Sequence, residues 1–101
     1  MPEFARVSTF SVDGGRVDDA IAFFGGTDLQ DAAQARGFRR GFWLLDRSSG
    51  RGMEVVVFEN REALDAAEDE ESDARSGAEA AGVKLGSEEF YEVVAEGKPP
   101  G

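Results

Sequence analysis

Residues Phe38–Glu59 read FRRGFWLLDRSSGRGMEVVVFE, two apolar runs flanking Ser48-Ser49-Gly50-Arg51-Gly52, whose composition suits a hairpin connection. In the first run Phe38, Arg40, Phe42 and Leu44 alternate with Arg39, Gly41, Trp43 and Leu45. In the second, Met53, Val55 and Val57 alternate with Glu54, Val56 and Phe58. Successive strand side chains point to opposite faces, so both faces of this hairpin are largely apolar. A sheet with one solvated face shows clean apolar and polar alternation; two apolar faces call for cover on each side.

Outward from this hairpin the chain supplies the cover. Upstream, Phe4–Val12 is rich in aromatic and β-branched residues between Pro2 and Asp13-Gly14-Gly15, and reads as a strand. Val17, Ala20, Ile21 and Phe24 then recur at helical spacing. Gly25-Gly26 interrupts this helix, and 28–35 reads as a short helical or irregular passage that stops at Gly37. Downstream, Asn60 is a good N-cap for a second helix over 61–81, with Ala63, Leu64, Ala67, Ala74 and Ala78 on one side and a dense acidic face around them. Like charges over 68–73 favour a kink or fraying there. Glu88–Ala95 reads as the closing strand. The order is β-α-β-β-α-β, an α+β, ferredoxin-like arrangement with two helices on one face of a four-stranded antiparallel sheet. One domain over 1–96 and a flexible tail over 97–101 are expected. Two helices cover one face only, so a second copy packing sheet against sheet is the expected cover for the other, making a homodimer.

Composition narrows the function. With 21 acidic against 11 basic residues the net charge is −10, which opposes binding to nucleic acid or anionic membranes. The chain has no cysteine and no histidine, so thiolate chemistry and the commonest metal ligand and neutral-pH base are absent. No metal or other cofactor is expected. No apolar run approaches the ~20 residues of a membrane span, and a cytoplasmic protein is the expectation. There is no phosphate-binding or EF-hand motif, and the acidic face of the second helix reads as a solvated surface.

The run Gly37–Arg47, the glycine turn, Val55-Val56-Val57-Phe58-Glu59 and Asn60-Arg61-Glu62-Ala63-Leu64 resemble the antibiotic biosynthesis monooxygenase-like proteins of the dimeric α+β barrel group. The resemblance implies a dimeric barrel and, among possible activities, cofactor-independent oxygenation of polycyclic phenolic substrates or haem degradation. Many members have tryptophan where this chain has Phe58 and histidine where it has Ala67. Haem-degrading relatives use that histidine as iron ligand, so the resemblance does not extend to haem.

Candidate ligand-binding residues follow. Arg6, Ser8, Trp43 and Tyr91 could supply polar contacts to an aromatic ligand, with Phe58 at the family's tryptophan position and Ile21 and Phe24 as an apolar lid where sheet meets first helix. Each has a plainer role: Trp43 as core or interface, Arg6 paired with Glu54 or Glu92, Tyr91 with a packed ring and wet hydroxyl, Asn60 as helix cap, and Gly41 as a bulge or close backbone approach. No catalytic residue can be assigned. The primary reading is a small dimeric α+β barrel protein binding a small apolar or aromatic ligand without catalysis. The alternative is a cofactor-independent monooxygenase acting on a polycyclic, polyketide-like aromatic.

Overall fold

The computed structural model describes residues 2–69 and 77–100. Strand β1 (Phe4–Val12) leads through a 3₁₀ turn to helix α1 (Val17–Phe23), a π-turn (Phe24–Asp28) and helix α2 (Leu29–Gln34). Strands β2 (Phe38–Leu45) and β3 (Arg51–Phe58) follow, then α3 (Arg61–Asp69), a helical turn at 77–80, and β4 (Val83–Glu92). The four strands are antiparallel in the order β2-β3-β1-β4, the ferredoxin-like arrangement with the helices on one face.

Pairing assigns the faces. Arg6 lies opposite Val56, Phe10 opposite Gly52, and Trp43 opposite Glu54, so these side chains share the helix-covered face. Val7 opposite Val55, Thr9 opposite Met53, Phe42 opposite Val55 and Leu44 opposite Met53 share the other. The covered face holds two buried clusters. Phe10, Val12, Ala20, Phe24, Ala78 and Val83 form one, and Val56, Phe58 and Leu64 the other, with Trp43 packed against both. The Phe10 and Phe24 ring centroids are 4.7 Å apart and tilted by 46°, a favourable offset for aromatic pairs. Asn60 caps α3 through a 2.8 Å bond from the Ala63 N–H to its side-chain oxygen.

Three local expectations are corrected. The glycines at 25 and 26 do not break the helix; they carry a π-turn that joins α1 to α2. A side chain at either would meet no heavy atom within 4 Å, so the glycines leave the wider turn unobstructed. Strand β4 begins at Val83 rather than at Glu88, because Val83 and Leu85 pair with Val12 and Phe10, and an irregularity between Ser8 and Phe10 shifts the register beyond them. In β2 an irregularity between Phe38 and Arg40 brings Phe38 opposite Phe58. Strict alternation would have put Phe38 on the open face with Phe42; here it packs against Val56, Phe58 and Leu64. The expected kink within 68–73 falls largely outside the described residues.

Candidate functional site

Among the described residues, a recess of about 50 Å³ opens between the covered face and the helix layer. At roughly 10–15 Å³ for each water centre it holds a few waters, about a third of the ~150 Å³ of an apolar cavity that takes benzene and far below the ~300 Å³ of ordinary ligand pockets. Phe10 of β1, Phe23 and Phe24 at the α1 end, Ala78, and Val83 and Leu85 of β4 supply the apolar wall. Arg6, Ser8, Asp28, Glu54 and Glu88 supply most of the polar lining. The wall follows from sequence. Phe10 and Phe24 are covered-face and helix-stripe residues, and Gly52 opposite Phe10 leaves the space into which that ring packs.

Arg6 organises the polar floor. It is 4% exposed and donates from Nη2 to Glu54 at 2.9 Å and from Nη1 to Glu68 at 2.8 Å. A buried guanidinium is tolerated because carboxylates meet its charge. Trp43 closes the next link: its indole N–H donates to Asp28 Oδ2 at 2.9 Å. The indole also fills the space above Gly41, where a Cβ would come within 2.9 Å of the ring. Asp28 stands at the end of the π-turn. Burial pushes its carboxyl above the ordinary 3.8, and the Trp43 N–H, the Arg6 charge and a hydrogen bond with Glu54 oppose that rise only in part.

The candidate residues separate accordingly. Arg6, Ser8 and Phe24 line the recess. Trp43 supports it from behind through Asp28. Ile21 is half-buried and outside the lining; its lid position is taken by Phe23, since the helix turns Phe23 and Phe24 together toward β1 and β4. Phe58 is 1% exposed in the second core cluster. Tyr91 pairs with Ala5 on the open face, and its hydroxyl donates to Glu89, which raises the phenol's proton affinity. Sequence reading missed Phe23, Asp28, Glu88, Val83 and Leu85 and used Glu54 only as an ion-pair partner. One signal was present: Glu54 shares the parity of Val56 and Phe58, so a charge stands on a face that must be buried.

Among the described residues no group of three or more acidic side chains is placed to hold a metal ion. No helix there is long and apolar enough to cross a membrane.

No protein-family model and no curated protein matches the chain. Solved structures do. The cofactor-independent oxygenase SnoaB from Streptomyces nogalater superposes with a TM-score of 0.72 at 19% identity, over 100% of both chains. A protein of unknown function from Nitrosomonas europaea gives 0.72 at 22% identity over 100% of this chain and 98% of its own. The ActVA-Orf6 monooxygenase of Streptomyces coelicolor, solved with nanaomycin D, gives 0.69 at 15% identity over 98% and 94%. Whole-chain superposition at such identities is agreement of architecture, and the chain has the fold of the antibiotic biosynthesis monooxygenase type.

Proposed function

We propose that this chain is a homodimeric α+β barrel protein that binds one small aromatic ring in the recess above Arg6. The observation that carries the reading is the recess itself: aromatic walls from Phe10, Phe23 and Phe24 around a few polar groups, which a single ring enters as the Phe23 and Phe24 side chains swing aside. A fused-ring ligand would require the α1–α2 layer to move outward. Dimerisation is supported by the open face, where Phe42, Leu44, Met53 and Tyr91 are 52%, 51%, 37% and 51% exposed. Such a contiguous apolar surface is uncommon on a monomer.

Cofactor-independent oxygenation is the second reading, favoured by Asp28, whose carboxyl burial raises above the ordinary 3.8, in a recess it shares with the buried cation Arg6. A carboxyl with raised proton affinity is a better base than an ordinary aspartate, and an adjacent guanidinium favours the phenolate it would form. The balanced reaction converts a phenol and O₂ to a quinone and water. The hydroxyl proton passes to the Asp28 carboxylate, oxygen bonds to the para ring carbon, and the O–O bond breaks as the para hydrogen is lost and the outer oxygen, with that proton and the hydroxyl's, leaves as water, the ring giving up four electrons. Trp43 is the sole tryptophan, so its fluorescence reports ligands directly. Saturable quenching by ortho-cresol, whose para carbon is free to react, without oxygen uptake supports binding alone; uptake above background, with label from ¹⁸O₂ in the product, supports catalysis. An unchanged signal across a panel of phenols would overturn both.

A further inference from the structure

The open face is ordered both across and along its strands. Its β2–β3 half is apolar, with Phe42 opposite Val55 and Leu44 opposite Met53 in adjacent rows. Its β1–β4 half is polar, with Glu89 opposite Val7 and Thr9 bonded to Ser87. The two ends differ as well. At the hairpin end Ser11 lies opposite both Arg51 and Lys84, and the Asp46 N–H bonds to the Arg51 carbonyl. At the other, Arg40 on β2 pairs with Glu3 and Glu96, and Tyr91 on β4 donates to Glu89. A groove of about 790 Å³ at the hairpin end is lined in part by Thr9, Leu44, Met53 and Lys84.

Two sheets stacked face to face with their strands roughly aligned can be related by a two-fold axis along the strands or across them. An axis along the strands lays β2 over β4. It sets Phe42 on the partner's Glu89 and Leu44 on the partner's Ser87, burying a carboxylate under an apolar ring. An axis across the strands lays β2 over β2 and each end over the opposite one. Phe42 and Val55 then meet the partner's Leu44 and the partner's Met53, Arg40 meets the partner's Asp46, and the Tyr91–Glu89 pair meets the partner's Lys84. From this complementarity we infer that a second copy covers the open face about an axis across the strands, with Phe42 seated in the partner's groove and Lys84 opposing the partner's Glu89. Apolar burial supplies the attraction and opposite charges fix the orientation. The inference rests on the homodimer reading above and adds the arrangement of the two copies to it.

Lys84 and Glu89 lie on one extended strand, about 17 Å apart at the usual rise, so they meet only between copies. Charge reversal tests this, with association measured by sedimentation equilibrium in low-salt buffer. Lys84→Glu and Glu89→Lys should each weaken the dimer about tenfold or more, and the double variant should return to within about threefold of wild type. Added salt should narrow these differences, and circular dichroism controls for folding. Cross-linking gives an independent readout, because the chain has no cysteine. Phe42→Cys and Leu44→Cys chains, mixed and treated with a short bifunctional thiol reagent, should link to each other in preference to themselves. A preference of Phe42→Cys for Glu89→Cys would put the axis along the strands and overturn the inference. Single charge reversals as tight as wild type, or a double variant no tighter than the singles, would overturn it too, and each of these results leaves the homodimer reading standing. A wild-type chain that stays monomeric at micromolar concentration would overturn that reading and this inference with it.

Discussion

On the helix-covered face Val56, Phe58 and Leu64 are at most 1% exposed, whereas on the opposite face of the same strands Phe42 and Leu44 are about half exposed. Both faces are apolar, but among the described residues only one contains ionised groups held away from water. Arg6 with Glu54 and Glu68 lies on the covered side, where desolvation makes each charge depend on its partner. The open side carries its polar groups at the margin: Arg40 with Glu3 and Glu96, and Tyr91 with Glu89. Buried polar groups thus mark the face proposed to hold the ligand, and exposed apolar groups the face proposed to meet a second copy.

Four substitutions would break or sharpen this contrast, taken from the largest expected effect. Arg6→Leu leaves Glu54 and Glu68 without the cation that meets them, and should cost about 3–5 kcal/mol of folding stability. Urea melts monitored at Trp43 measure it, and a cost under about 1 kcal/mol would place Arg6 among solvated surface pairs. Phe42→Lys acts on the other face. It should leave monomer stability within about 0.5 kcal/mol, as a surface change does, while weakening self-association by about 2 kcal/mol, roughly 30-fold. Sedimentation equilibrium decides, and a wild-type chain that is monomeric at micromolar concentration would remove the open face as an interface.

Trp43→Phe keeps the ring over Gly41 but deletes the donor to Asp28. An acceptor left in a partly buried setting should cost about 1–3 kcal/mol, and an indistinguishable melt would show that water replaces the indole N–H. The smallest effect is that of Asp28→Asn. Because the folded-state carboxyl binds its proton more tightly than the unfolded one, its contribution to stability is complete below about 3.8 and is lost as pH rises through the elevated folded-state value. The variant cannot titrate there, so its stability relative to wild type should improve with pH across that interval. A difference that is flat with pH would mean that Asp28 titrates normally.

The periodicities that determine strands and helices were legible because they are local. The aromatic and β-branched run Phe4–Val12, the two apolar runs within 38–59 about a glycine turn, helical spacing from Val17 to Phe24, and the Asn60 cap give the element order. The missing histidine and cysteine removed whole classes of chemistry by composition alone. Tertiary structure decided what local pattern cannot carry: the irregularities that turned Phe38 inward and extended β4 to Val83, and the π-turn that set Asp28 beside Trp43. The Arg6 partnership shows the boundary most clearly. Its charge on a strand announced a need for a carboxylate, and Glu54 was visible as one choice, but Glu68 lies 62 residues away on α3. Which distant groups share a recess depends on how helices seat on a sheet, a balance of packing and desolvation over the whole chain that no short stretch of residues encodes.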